Sequence, residues 1–255
     1  MKVFRPTLLV LVAALAVLGS TRVQAQAHNV AMVYRFTPAA GKSAAFEKAL
    51  GSHAAWRKQA GDPWSWEVYQ VLTGEHAGSY MIRSGGHTWA DLDAYDAGFG
   101  PKGTARFQAD VQPLVGSWTS WVTVGDTAHQ RLPQSAEGYT MVTLSFYSLK
   151  PGEDDQFDAA VDAIQKAIVK QNAPFHYAWF SPMDSGPGGV RGLAIFNENW
   201  AGFQPQRPNL GQIMNQEYGE AMAGQIRDEF TDSYSHVVSQ IMRLRPDLSV
   251  MHEGS

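Results

Sequence analysis

The apolar residues of this chain change period in an order that is played through twice. Val30 to Phe36 alternates and is rich in strand-forming residues. From Ser43 to Ala60, Phe46, Leu50, His53 and Arg57 recur at helical spacing, so the predicted helix carries two polar members on its stripe. Gly61-Asp62-Pro63 ends it, and Trp64 to Leu72 reads as a second strand. Ser79 to Arg83 is a third strand, and Thr88 caps a short helix from Trp89. A further helical stretch runs from about Ala105 to Val115, and Trp118 to Val124 is a fourth strand. After a polar connector, Gly125 to Gly138, the order returns. It runs as a strand at Tyr139 to Tyr147, a helix at Asp155 to Lys170, an aromatic strand opened by Pro174, a strand at Val190 to Phe196, a helix around Gln212 to Phe230, and a strand at Ser235 to Leu244.

The two passes match residue by residue. Adding 111 to Pro63, Trp64, Trp66 and Tyr69 reaches Pro174, Phe175, Tyr177 and Phe180. The same offset joins Gly41 to Gly152, Phe46 to Phe157 and Trp89 to Trp200 without a gap. Beyond them it grows to 116, where Trp121-Val122 meets Val237-Val238, as an insertion of five residues in the second half would produce. Each half is β-α-β-β-α-β, the ferredoxin-like order. The class expected is α+β, with repeats over 28–125 and 139–248, a linker over 126–138 and a tail over 249–255. A four-stranded sheet with helices on one face leaves the other bare, so the two sheets are expected to pack face to face as a sandwich or barrel.

On these landmarks the chain resembles the dimeric α+β barrel superfamily in a fused, two-copy form, with antibiotic-biosynthesis-monooxygenase-like and NIPSNAP-like relatives. The resemblance covers about residues 28 to 248 and rests on element order, not on a catalytic motif. It implies a ligand cavity between the sheets. The superfamily includes cofactor-free oxygenases, isomerases, haem enzymes and proteins without known activity, so the fold does not choose among them.

The first residues add a compartment. Lys2 and Arg5 precede an apolar run from Leu8 to Leu18, with small-residue cleavage sites ending at Ala25 and Ala27; this reads as a secretory signal peptide, 1–25, and an exported protein, periplasmic or secreted. The run is shorter than the roughly 20 residues of a spanning helix, so no membrane attachment is expected after cleavage. Removing the signal leaves 17 basic residues against 24 acidic ones, a net charge of −7. That balance argues against nucleic acid as a partner. There is no cysteine, which excludes thiol chemistry and thiolate metal sites.

Candidate chemistry lies in polar residues on apolar elements. Glu67 and His176 interrupt the two aromatic strands, where desolvation suits a carboxylate to general-base work; the alternative is that Glu67 pairs with Arg83. Arg35 replaces the Phe146 of the other half and could steady an anion, or pair with a structural acid. As an enzyme, the chain would be a cofactor-independent oxygenase or isomerase using Glu67 or His176 as base and Arg35 as anion partner. Trp66, Tyr69, Tyr177, Trp179 and His53 are the expected ligand-binding residues, His53 standing where the other half has Ile164. The expected partner is a small apolar or aromatic molecule, with a homodimer through exposed sheet edges as an assembly alternative. No cofactor is expected; in a haem-binding variant His53, His176 or His236 would be the axial residue. No metal signature of the HExxH type and no phosphate-binding or nucleophile-elbow sequence is present.

Overall fold

The duplication is laid down element for element. The computed structural model describes residues 27–135, 137–183 and 189–252; the segment read as a signal peptide and the glycine-rich stretch at 184–188 lie outside the described residues. The first repeat runs β1 (Val30–Pro38), α1 (Ser43–Gln59), β2 (Glu67–Val71), β3 (Tyr80–His87), α2 (Trp89–Ala97), α3 (Gly100–Asp110) and β4 (Val115–Arg131). The second runs β5 (Met141–Leu149), α4 (Asp154–Lys170), β6 (Tyr177–Pro182), β7 (Val190–Asn197), α5 (Leu210–Tyr218), α6 (Glu220–Asp232) and β8 (Tyr234–Leu244). Both bounds of β1 and of α1 reappear 111 residues later in β5 and α4.

The strands close into one barrel in the order β1-β3-β2-β8-β5-β7-β6-β4, all pairs antiparallel. Each repeat keeps the ferredoxin-like order internally. The repeats meet by hydrogen-bonding their edges, with Tyr69 opposite Leu244 on one seam and Arg131 opposite Tyr177 on the other. Closure uses both edges of both sheets, so the described strands leave no edge for a second copy to extend.

Alternation along the strands sorts the side chains into three cores. Val33, Val71, Met81, Val142, Leu144 and Met242 fill the barrel, with Tyr69, Trp121, Phe146 and Phe180 packed on them. An eight-stranded barrel is just wide enough to be filled this way. Outside it, Phe46 anchors α1 on the first sheet and Phe157 anchors α4 on the second, both fully buried. Fully apolar burial of one aromatic side chain of this kind contributes about 2–3 kcal/mol.

Three boundaries depart from the sequence reading, each for a local reason. β2 begins at Glu67 because the Asp62 carboxylate accepts the Trp64 backbone N–H at 3.0 Å and holds Trp64 out of the ladder. β4 runs on to Arg131, through half of the polar connector, because its far end pairs with β6. Its last side chain, Arg131, then donates to the Ala173 carbonyl and to Asn172 at the end of α4. The long helix expected near Gln212 is two, broken at Gly219, whose φ of 77° is the left-handed region that glycine enters at little cost.

The segment read as a tail is built into the first repeat. Trp66 and Val250 exchange backbone hydrogen bonds at 2.7 and 2.9 Å. Ser249 Oγ accepts from the Val68 N–H at 2.9 Å, and Leu248 and Val250 are buried in the first core. Arg245, just before this segment, reaches Glu47 of α1 at 2.9 Å. Leu248→Ala should therefore cost about 2 kcal/mol, the low end for a buried leucine, read as a lower urea midpoint; an unchanged midpoint would mean that the segment does not contribute to the core.

Candidate functional site

The barrel interior that should have held a ligand is occupied by side chains, and the open space lies on the outer, helix-covered face of each sheet. One cavity of about 410 Å³ sits between the first sheet and α1–α3, lined by Met32, Tyr34, Trp64, Trp66, Phe107 and Val250 among others. A second, also of about 410 Å³, sits at the equivalent place in the second repeat, lined by Tyr147, Ile168, Phe175, Trp179, Met214 and Phe230 among others. The duplication has kept the space and changed its chemistry.

In the first cavity, Arg57 of α1 is the centre of a buried polar network. Its Nε donates to His53 Nε2 at 2.8 Å, one helical turn back. Its Nη1 donates to the Tyr95 hydroxyl at 2.9 Å and to Asp62 Oδ2 in a close ion pair. Asp62, only 1 % exposed, also accepts from Trp66 Nε1 at 3.1 Å and from the Tyr95 hydroxyl at 3.2 Å. The guanidinium lies 4.8 Å from the Trp66 ring centre, a cation–π distance. Trp64 is stacked between Tyr95 and His87, each centroid 3.8 Å away. Gly103 of α3 admits the guanidinium, since a Cβ there would come within 3.1 Å of Arg57 Nη2.

The network fixes proton positions. His53 is 3 % exposed, and burial, then the Arg57 and Arg106 charges, lower its pKa to about 3. It is neutral, and because Nε2 accepts from Arg57 the ring proton sits on Nδ1, which has no hydrogen-bond partner. Burial also pushes the Tyr95 hydroxyl up to about 12, keeping it a donor. Arg57 Nη2 makes no hydrogen bond among the described residues. The wall therefore offers donors within an aromatic setting, while the Asp62 carboxylate behind it is already saturated by four donors.

The second cavity supplies the comparison. At the positions of His53, Arg57 and Asp62 it has Ile164, Ile168 and Ala173, all in or packed on the second core. The fold is thus built equally well without the network. A buried ion pair contributes little net stability relative to apolar packing, so folding alone does not account for it.

The residues singled out from the sequence are dispersed over three places. His53 and Trp66 line the first cavity, and Tyr177 and Trp179 the second, while Tyr69 packs inside the barrel. The catalytic trio is not assembled. Glu67 faces the barrel side and is held by Arg83 directly across the ladder, at 2.9 Å. His176 precedes β6, four strands away around the barrel from β2, and lies edge-on to Tyr139. Arg35 sits beside Met81, two residues along from the Val33–Arg83–Glu67 row, and makes no ion pair among the described residues. Alternation explains the dispersal: neighbours in a strand point to opposite faces, so Glu67 and Trp66 cannot share a site. Arg57, Asp62 and Tyr95 were missed, although Arg57 stood on the apolar stripe opposite Ile168 in the aligned half.

The histidines do not fit haem. Ligation through His53 Nε2 would strip the buried Arg57 N–H of its acceptor. His176 lines neither cavity, and His236 is exposed on β8. Among the described residues no three His, Asp or Glu side chains are grouped to hold a metal ion.

Comparison with known proteins bears on the fold. No family model matches the chain, and no curated protein matches it. Among solved structures it is similar to a protein named as a monooxygenase from Lactobacillus acidophilus NCFM, at 8% identity and a TM-score of 0.55, covering 88% of this chain and 96% of that one. A protein named as a monooxygenase from Fusobacterium nucleatum subsp. nucleatum superposes with a TM-score of 0.56 at 13% identity, covering 86% and 93%. A mutant chlorite dismutase from Candidatus Nitrospira defluvii, in complex with cyanide, does so with 0.51 at 11%, covering 87% and 92%. The chain has the dimeric α+β barrel fold, with both repeats on one polypeptide.

Proposed function

We propose that the cavity of the first repeat binds a small aromatic molecule carrying an acceptor oxygen, a carbonyl or phenol. The observation that carries this is the Arg57 network, present at one of two equal cavities and absent from the other. Trp64, Trp66, Tyr34 and Phe107 provide an apolar, aromatic-faced slot, and pockets of a few hundred Å³ with a few convergent polar groups are the usual form of small-molecule sites. Arg57 and His53 provide N–H donors held in place before the ligand arrives. The signal-like N-terminus supports an exported protein.

The probe pair 1-tetralone and tetralin tests this, being matched in shape and differing in the carbonyl. Quenching of tryptophan fluorescence should saturate for both, with tetralone binding about tenfold more tightly, as expected for a hydrogen bond to a charged donor. Equal affinities, or no saturable binding, would sink the reading.

A second reading, turnover by a cofactor-independent oxygenase or isomerase, is supported by Asp96. This carboxylate lines the same cavity, is exposed, and helps raise the Tyr34 pKa after burial. It takes the base role that Glu67, tied to Arg83, does not. The likeness to proteins named as monooxygenases is compatible with it. Here His53, with its pKa at about 3, acts as donor rather than base.

A further inference from the structure

We propose that the cavity of the second repeat is a separate binding site for a single-chain anionic amphiphile, of the class of a medium-chain fatty acid. The inference rests on this cavity alone and stands or falls independently of the reading of the first. Its inner wall is apolar, formed by Ile164, Ile168, Phe175, Trp179, Leu193 and Ile226. Where the first repeat has a charged network, the second has Ile164, Ile168 and Ala173, and besides Arg227 the lining offers only uncharged polar side-chain groups such as the Tyr147 and Tyr177 hydroxyls and the Asn215 amide, so nothing in the interior would repay the desolvation of a charged head. The ligand's inner part must therefore be hydrocarbon.

The charge is at the rim. Arg227 of α6 lines the cavity with a side chain that is 71% exposed, and its one ion pair among the described residues, to Asp228, is at 3.6 Å between two exposed groups. Such a pair holds the guanidinium only weakly, leaving it free to take a carboxylate or sulfate head. Asn215 of α5 lines the same cavity and adds an amide donor. Among the described residues no acidic side chain lines this cavity, so a cationic head would meet Arg227 without compensation. An apolar interior under a lone arginine is complementary to a head-and-tail molecule, with the aliphatic stem of Arg227 able to lie along the upper part of the tail.

The test is titration of the whole protein, followed by calorimetry, with hexanoate, octanoate and decanoate below their micelle-forming concentrations, and with decanol and decylamine as charge controls. Affinity should rise about fourfold per added methylene until the cavity is full. Decanoate should bind more tightly than decanol, and decylamine least. Arg227→Ala should weaken decanoate about fivefold and leave decanol unchanged. Ala223→Phe, which fills the buried space, should abolish binding of both; Leu210→Trp, at the exposed rim, should do the same without touching the core. Tetralone binding to the first cavity should survive all three changes. Equal binding of decanoate, decanol and decylamine, decanoate binding that survives both blocking variants, or attachment to anionic phospholipid vesicles without binding of monomeric decanoate would each overturn the proposal.

Discussion

Asp62→Ala should destabilise the protein by about 3–5 kcal/mol, the range for removing one member of a buried ion pair. The loss exceeds that of a simple truncation because of what is left behind. Arg57 keeps its charge in a place where its side chain is only 12% exposed, and Trp66 Nε1 and the Trp64 N–H lose their acceptor. Unmade hydrogen bonds of buried groups carry the full desolvation cost. Urea unfolding followed by tryptophan fluorescence reads the change. The triple replacement His53→Ile, Arg57→Ile and Asp62→Ala, which installs the residues of the second repeat, should recover most of the loss, because an apolar set of similar volume replaces the whole network at once. A triple variant as unstable as Asp62→Ala would mean that the network is needed for folding, and the comparison of the two cavities would lose its force.

Acid should weaken the protein before its carboxylates begin to titrate. The folded-state pKa of His53, about 3, lies below its usual 6.5, so the unfolded chain binds the extra proton between those values. The contribution is complete above pH 6.5 and is lost as pH falls through that window, at about 1.4 kcal/mol per unit. Between pH 6.5 and 5 the loss attributable to His53 is about 2 kcal/mol. His76 and His87, also lowered chiefly by burial, act with the same sign. His53→Ile should therefore leave a shallower slope rather than none. Unfolding free energies of parent and variant at pH 7, 6 and 5 check this, and parallel pH dependences would show that His53 is not held neutral in the folded protein.

The architecture was legible because duplication leaves its mark on spacing. Phe46 and Phe157, or Pro63 and Pro174, identify equivalent turns and helix faces without any structural knowledge, and alternation assigns strand faces correctly: Trp66 and Tyr177 do point toward helices. The same alternation could not say which face would hold empty space. That depends on closure of the barrel, where Val33, Met81, Leu144 and Met242 meet from different strands and leave no room. The polar residues that stand out along the strands, Glu67 and Arg35, consequently lie on the packed face and not on the cavity face. The clue to the site was nonetheless present in the alignment. His53 stands against Ile164, and Arg57 against Ile168, one turn on, is the same exchange; Asp62 against Ala173 completes the set. Asp62 belongs to the turn that ends the helix, as its place between Gly61 and Pro63 implies, since its N–H donates to the Arg57 carbonyl at 3.0 Å. Its side chain does a second thing that local sequence does not reveal. Nor could spacing predict that Leu248 and Val250 return across the seam to wall the cavity of the other repeat, because that contact depends on where β8 ends against β2.

On the proposed function, the buried network of the first cavity recognises a ligand and is not a requirement of the fold. The most direct test is the affinity of 1-tetralone, relative to tetralin, for the triple variant that carries the second repeat's Ile, Ile and Ala in place of His53, Arg57 and Asp62. The expected result is a folded protein that still binds tetralin and has lost the roughly tenfold preference for the carbonyl compound. A variant that keeps that preference would contradict it.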